Sequence, residues 1–269
     1  MNNLAKWNQT IKISISKLLA YRLNFFLTII GPALIFYWIK VNLWTTIFEG
    51  VEGGIQTGMI NGYTLETMLQ YHSWTLIVTL LAKGHNSMNL SLDIRMGRIS
   101  SYLIYPFNFW EFHTASFLGF QFVQLFITAV TLLIFFSIGV LNQFVLANFL
   151  WGVFFCLIVS FFWFSIQYLL GLIAFWLEET WIMRVMFDIV ATFLSGGIIP
   201  LDLFPSFFAK FLEYTPFPYL TYYPVQIFLG NAQGIPMAAS KILIWTAIVW
   251  MINKLVWNKG IRMYTAAGM

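Results

Sequence analysis

Long apolar segments, each about as long as a bilayer-spanning helix, account for most of the chain. A transmembrane helix needs about 20 mostly apolar residues. Segments of this kind cover residues 23–45, 62–82, 114–140, 147–177, 181–200 and 236–257. Their apolar runs are unbroken, whereas membrane β-strands alternate apolar and polar positions. The pattern therefore predicts an all-α, polytopic membrane protein with six transmembrane helices.

Residues 4–20 have a pattern that is typical of an amphipathic helix. Lys6 and Lys17 lie on one face of a helical wheel, and six apolar residues share the other. These are Leu4, Trp7, Ile11, Ile15, Leu18 and Leu19. A short basic amphipathic helix before a first span is expected to lie in the membrane interface. The alternative is a disordered tail.

Residues 195–235 are apolar but repeatedly interrupted by glycine and proline. Gly196, Gly197, Pro200 and Pro205 are the first interruptions, and three more prolines follow. A continuous transmembrane helix is incompatible with these glycine and proline interruptions. We expect short re-entrant helices that dip into the outer leaflet, where surrounding protein or a wet cavity satisfies their backbone. An ordinary external loop with amphipathic turns is the alternative.

The composition excludes a soluble domain. Of the 269 residues, 60% are hydrophobic and only 9% are charged, and the mean hydropathy is +0.79. Soluble domains have about 45–50% apolar and about 25% charged residues. Six spans with their loops and tails leave no room for a separate globular domain. Residues 1–269 are therefore interpreted as a single transmembrane domain.

The distribution of Lys and Arg predicts the orientation, because cytoplasmic loops carry an excess of both. Only Lys40, Lys210 and Lys241 fall on one side of the predicted membrane. The other side carries Lys6, Lys12, Lys17, Arg22, Lys83, Arg95, Arg98, Arg184, Lys254, Lys259 and Arg262. Both termini are therefore predicted to be cytoplasmic, in a multi-pass protein of the cell (inner or plasma) membrane. The net charge of +4 then indicates topology and not a nucleic-acid partner.

Signatures of catalysis and cofactor binding are missing from the sequence. No glycine-rich phosphate-binding motif occurs, so ATP-driven work would need a partner that hydrolyses ATP. The three histidines have no metal-ligand spacing, and no metal or other cofactor is expected in this chain. Ser195 precedes two glycines, but Phe193 breaks the Gly-x-Ser-x-Gly nucleophile motif. The chain is not expected to be an enzyme.

Four charged residues near the predicted fifth span are candidate functional groups, because ionisable side chains inside a membrane are usually functional. Arg184 and Asp188 are four residues apart and can pair on one helix face. Their role is either structural pairing or the coupling of motion to transport. Glu178 and Glu179 lie in the inner turn before this span, where they meet a basic partner surface or solvent.

Residues 83–112 form the most informative cytoplasmic segment. A short helix there would carry Asp93, Arg95 and Arg98 next to the membrane bundle. Such a helix suits docking onto a soluble subunit. The alternative is an interfacial helix that anchors to anionic lipid.

Four motifs in this order resemble one family of membrane proteins. Residues 94–106 read Ile-Arg-x-Gly-Arg-x-x-x-Tyr-Leu-x-x-Pro, and residues 195–205 read Ser-Gly-Gly-x-x-Pro-Leu-Asp-Leu-Phe-Pro. Pro-Phe-Pro-Tyr at 216–219, with Tyr-Pro at 223–224, and the tail at 257–264 complete the set. Together they resemble permease subunits of type-2 ABC exporters, in the branch of uncharacterised or multidrug-type permeases.

The resemblance implies an architecture and an assembly. An N-terminal elbow helix, six spans and re-entrant helices between spans five and six are expected. A coupling helix containing Asp93, Arg95, Gly97 and Arg98 would insert into a groove of an ATPase. Two permeases, identical or homologous, would pair through spans one and five. They would bind two ATPase subunits that carry ATP and Mg²⁺.

The expected function is export of an amphipathic or hydrophobic substrate, such as a lipid, drug or peptide. An aromatic, weakly charged cavity lined by spans one, two and five would suit this cargo. A non-transporting membrane scaffold or immunity protein is one alternative. A membrane-embedded enzyme that acts on lipid or peptide is another.

Overall fold

Helices make up nearly all of the chain described by the computed structural model, which covers residues 3–21, 23, 27, 31–52, 59–84, 88–104, 108–141 and 145–264. Across these residues no β-strand forms, and an isolated bridge pairs Ile60 with Tyr63. The predicted all-α fold class is confirmed.

The described residues contain eleven α-helices. They are α1 (Asn3–Ala20), α2 (Gly31–Glu52), α3 (Leu65–Ala82), α4 (Met88–Arg95), α5 (Ile99–Ile104), α6 (Phe109–Ser137), α7 (Leu146–Leu172), α8 (Trp181–Leu194), α9 (Ser206–Leu212), α10 (Tyr222–Leu229) and α11 (Ile235–Met263). Short 3₁₀ helices cover Ile173–Phe175, Leu201–Leu203 and Phe217–Leu220.

Three segments are long and apolar enough to cross a membrane, judged over the residues that the structure describes. They are α6, the segment Leu146–Phe175 that contains α7, and α11. They match the predicted third, fourth and sixth spans. α6 begins at Phe109, before the predicted start at residue 114, because a polar cap extends it. The backbone N–H of Asn108 donates to Oε2 of Glu111 at 3.3 Å.

The other three predicted spans correspond to shorter or less apolar helices. α2 has 22 residues, α3 has 18 and α8 has 14. At about 1.5 Å per residue, α8 extends roughly 21 Å, less than the roughly 30 Å of a hydrocarbon core. The predicted first span began at residue 23, and most of residues 22–30 lie outside the described residues. The six-span count stays a prediction.

α7 lies at the centre of the helix packing. It contacts α3, α4, α8, α10 and α11, and Phe155 and Phe162 on its buried side belong to the main apolar core. Gly152 lets α10 approach closely, because a Cβ at this position would lie 2.4 Å from the ring of Phe228. That ring stacks on Trp74 of α3 with centroids 4.4 Å apart. A large side chain at position 152 would therefore separate α7 from α10.

α1 packs along α6. Ser14 Oγ donates to the backbone oxygen of Ser116 at 3.2 Å. A Cβ at Gly119 would lie 2.9 Å from the backbone oxygen of Ile11, so glycine permits this close approach. A helix is present over the predicted residues 4–20. Its interfacial position and its role as an elbow stay predictions.

The C-terminal end of α3 is capped by two glutamines of α6. Gln121 Nε2 donates to the backbone oxygen of Leu81 at 2.8 Å, and Gln124 Nε2 donates to that of Leu80 at 2.6 Å. The last carbonyls of a helix have no partner within it, and buried carbonyls without a donor are costly. The two glutamines thus have a structural role in an otherwise apolar helix.

We expect replacement of both glutamines, Gln121→Leu with Gln124→Leu, to lower the melting temperature of the purified protein in detergent. Each lost hydrogen bond leaves a buried carbonyl unpaired, which costs about 1–3 kcal/mol. Phe122→Leu is the matched control, because Phe122 is exposed on the same helix. Equal melting temperatures for the double variant and the control would contradict the capping role.

Candidate functional site

The predicted coupling segment folds as two short helices, α4 and α5, with a turn at Gly97. The backbone N–H of Arg98 donates to the oxygen of Asp93 at 2.9 Å, and that of Gly97 donates to the oxygen of Ile94 at 3.2 Å. This pair of bonds is the Schellman motif, which needs a left-handed residue after the helix. Gly97 supplies it with φ +71°. Gly97 therefore ends α4 and sets the direction of α5.

Asp93 faces inward and connects α4 to α5 and α6. Its carboxylate accepts a hydrogen bond from Tyr102 Oη at 2.9 Å and pairs with Arg98 Nη1 at 3.4 Å. His113 Nε2 lies 3.9 Å from the same carboxylate. Burial, together with the negative charge of Asp93, raises the pKa of Tyr102, so its hydroxyl remains a donor. Asp93 is buried and acts within the segment.

The apolar side of the segment packs against the membrane helices. Leu90, Ile94 and Ile99 are buried in one cluster with Tyr168 and Leu172 of α7. Phe109 of α6 belongs to the same cluster, and Trp257 of α11 packs against it. Burial of three aliphatic side chains stabilises the docking by several kcal/mol, at about 1.5–3 kcal/mol each. The segment is therefore attached to the bundle through its apolar side.

The exposed face of the segment is basic. Arg95, Met96 and Arg98 are exposed at the end of α4 and at the turn. Arg95 Nη2 forms an ion pair with Glu179 Oε1 at 3.1 Å, with the two side chains 37% and 55% exposed. Glu179 lies in the turn before α8, next to the exposed Glu178. The structure thus brings together two residues that the sequence analysis had assigned to separate sites.

Arg184 and Asp188 do not form the predicted ion pair among the described residues. Asp188 Oδ1 instead accepts a hydrogen bond from Gln167 Nε2 of α7 at 3.0 Å. On the same face of α8, Lys83 donates to Thr192 Oγ1 at 3.4 Å. The short carboxylate side chain points towards α7, where a neutral donor is available. The four-residue spacing of Arg184 and Asp188 along one helix gave no information about Gln167, which lies on another helix.

The motif at residues 195–205, which we name the outer motif after its predicted side of the membrane, ends α8 in the same way that Gly97 ends α4. Gly196 has φ +78°, and the backbone N–H of Gly197 donates to the oxygen of Thr192 at 2.9 Å. The carbonyls of both glycines are held by long side chains from other helices. Tyr71 Oη donates to Gly196 O at 2.7 Å, and Lys40 Nζ donates to Gly197 O at 2.5 Å. The C-terminal end of α8 is therefore connected to α2 and α3.

Pro200 and Pro205 begin short helical turns. The oxygen of Pro200 accepts from the backbone N–H of Leu203 at 3.1 Å, and that of Pro205 accepts from Ala209 at 3.0 Å. Proline is favourable at a helix start, where a backbone N–H has no partner anyway. Residues 195–235 thus contain short helices instead of a continuous span, as predicted. Their depth in the membrane stays a prediction.

Asp202 joins residues 195–235, which we name the outer segment after their predicted side of the membrane, to the start of α3. It was not among the predicted site residues. Its carboxylate accepts hydrogen bonds from Tyr63 Oη at 2.5 Å and Tyr222 Oη at 2.6 Å. Asn61 Nδ2 donates to its backbone oxygen at 2.6 Å. Burial and then the Asp202 carboxylate raise the pKa of Tyr222, which remains a donor. The sequence signal that could have identified Asp202 is that it is the single acidic residue within an otherwise apolar motif.

The long apolar helices with a basic cytoplasmic-type segment define a multi-pass helical membrane protein. The family model described as "ABC-2 family transporter protein" matches residues 34–268. The chain belongs to this family, and it is a permease of the ABC-2 type. Compared with curated proteins, it matches none.

Membership in this family implies a membrane subunit that is not itself catalytic and that works with an ABC ATPase subunit. The match covers both the segment around α4 and α5 and the outer motif at residues 195–205.

We expect Asp202→Ala to lower the melting temperature of the purified protein, because two tyrosine hydroxyls lose their acceptor. A hydrogen bond to a charged group is worth about 1.5–3 kcal/mol. Glu213→Ala in the same outer segment is the control, because Glu213 is exposed. If Asp202→Ala and Glu213→Ala have the same melting temperature, Asp202 does not hold the outer segment.

Proposed function

We propose that this chain is the transmembrane subunit of an ATP-driven exporter, which moves an amphipathic or hydrophobic substrate out of the cytoplasm. The observation that carries the proposal is the exposed basic face formed by Arg95, Met96 and Arg98. The buried Asp93 and the apolar cluster fix this face to the bundle. It is suited to a groove on a separate ATPase subunit, where ATP and Mg²⁺ bind.

The ion pair between Arg95 and Glu179 supports a route by which a movement of the ATPase subunit reaches the membrane helices. When the ATPase moves the α4–α5 segment, the pair transmits the displacement to the inner end of α8. The outer end of α8 is bonded to α2 and α3 through Lys40 and Tyr71. A shift of α8 would therefore change the packing of the outer segment, where substrate leaves.

The assembly that we propose contains two permeases, identical or homologous, and two ATPase subunits. α2 and α8 form the interface between the permeases, since each has an exposed apolar face. Both termini are cytoplasmic in the cell membrane, α1 is an elbow helix, and six spans cross the bilayer. Short helices in residues 195–235 enter the outer leaflet and return.

An enzymatic role is less well supported. Ser195, the residue closest to a nucleophile motif, is fully buried and donates to Thr221 Oγ1 at 3.0 Å. A nucleophile needs a base within hydrogen-bond reach and access for the substrate. The threonine hydroxyl is not a base, and burial denies access.

The first experiment is a pull-down of the tagged chain in mild detergent, followed by identification of bound proteins and an ATPase assay. We expect a stoichiometric ABC ATPase subunit. Arg98→Gln combined with Arg95→Gln should reduce its recovery by at least about tenfold, because charged contacts to a partner are removed. Lys210→Gln, in the outer segment, is the control. A chain that purifies alone under every mild condition would remove the proposal.

We expect the charge swap at Arg95 and Glu179 to separate coupling from stability. Each single reversal, Arg95→Glu or Glu179→Arg, should lower substrate-stimulated ATPase activity, and the double reversal should restore part of it. The pair is about half exposed, so it contributes at most about 1 kcal/mol to stability. Melting temperatures should therefore stay nearly unchanged. Equal activity in all four proteins would exclude the pair from the route.

A further inference from the structure

Three hydrogen-bond donors lie together where α2 packs on α3. Lys40 and Trp44 are one turn apart on α2, and His72 lies opposite them on α3. The rings of Trp44 and His72 stack with centroids 5.9 Å apart, and residues four apart on a helix, such as Lys40 and Trp44, share one face. The three side chains form one cluster, which we name the donor cluster.

Two members of the donor cluster have no hydrogen-bond partner within the described part of the chain. Trp44 is 6% exposed and His72 is 1% exposed, and neither the indole nitrogen nor either imidazole nitrogen is paired. Buried polar groups are nearly always paired, and unpaired ones are costly. The indole N–H can only donate. An acceptor from outside the chain would complete the cluster.

The donor cluster is also positively charged. An ammonium has three donors, and Lys40 uses one of them for Gly197 O. No carboxylate forms an ion pair with Lys40 in the described residues. A charge inside a membrane is costly when it is unpaired and marks a pathway for ions or substrates. A cationic donor set without an acid is complementary to an oxyanion.

We propose that Lys40, Trp44 and His72 bind the anionic headgroup of an amphiphilic cargo, with a phosphate or carboxylate as the acceptor. This inference rests on the proposed export function and names the substrate class. The apolar part of the cargo lies along α2, where Trp38, 67% exposed, and its apolar neighbours Ile39 and Leu43 are exposed. The headgroup enters from the side of Lys40, which is only partly buried.

Binding at the donor cluster would act on the outer segment. Lys40 is the side chain that holds Gly197 O at the end of α8. An oxyanion is a stronger acceptor for an ammonium than a carbonyl. The cargo can bind the two remaining donors of Lys40, and its stronger attraction then draws the ammonium away from Gly197 O, which loosens the contact between α2 and the outer segment. Substrate binding and opening are coupled through one side chain.

The test measures binding to the purified full-length chain in dodecyl maltoside, a neutral detergent, by titration calorimetry. The probes are dodecyl phosphate, dodecylphosphocholine and inorganic phosphate. We expect dodecyl phosphate to bind at least about tenfold more tightly than either of the other two, since it alone combines an unmasked anion with an alkyl chain.

Variants locate the binding site. Lys40→Met should weaken dodecyl phosphate binding by at least about tenfold, because a charged hydrogen bond is lost. Trp44→Phe should weaken it several-fold while the protein still folds, because it removes the indole N–H donor and keeps an aromatic ring in the apolar cluster. Lys210→Met, an exposed outer lysine, is the control and should bind normally. If Lys40→Met does not fold, Trp44→Phe decides.

Equal binding of dodecyl phosphate and dodecylphosphocholine, or unchanged binding by Trp44→Phe, would overturn the inference. Binding of inorganic phosphate as tight as that of dodecyl phosphate would assign the site to a free anion and overturn the amphiphile. These measurements use the chain alone, so their failure is distinct from failure to recover an ATPase. If no ATPase subunit is recovered in the pull-down, the export proposal fails, but the measured binding of dodecyl phosphate to the chain still stands.

Discussion

Helix ends that lie inside an apolar protein must find hydrogen-bond partners in the protein itself, and the rest of this structure depends on that constraint. Water cannot satisfy the last carbonyls of a helix in such surroundings. Gln121 and Gln124 cap the C-terminal end of α3, and Tyr71 and Lys40 hold the C-terminal end of α8. At both ends, polar side chains of neighbouring helices supply the missing hydrogen-bond donors.

The same bonds make α8 a connecting element between the two sides of the molecule. At its inner end, Glu179 pairs with Arg95 of the basic face, and at its outer end Gly196 and Gly197 are held by other helices. Between these ends, Asp188 is bonded to α7. α8 is therefore held at defined points along its length, and the proposed transport cycle uses these contacts to carry a displacement from one end of the helix to the other.

Local patterns predicted some parts of the chain well and others poorly. Unbroken apolar runs predicted helices over α6, α7 and α11, because helix length and burial in lipid follow from composition over about 20 residues. The start of α6 was missed by hydropathy, since the polar pair Asn108 and Glu111 extends it. Arg184 and Asp188 were predicted to be able to pair, but among the described residues Asp188 instead accepts a hydrogen bond from Gln167 on another helix.

By itself the sequence determined the helical class, the family motifs and the basic character of residues 83–112, since each depends on residues that are neighbours along the chain. Only the tertiary structure decided which side chains meet. It turned Asp93 inward, joined Arg95 to Glu179, made Asp202 the acceptor for two tyrosines and assembled the donor cluster. Those contacts join residues on different helices, and their geometry follows from how the helices pack.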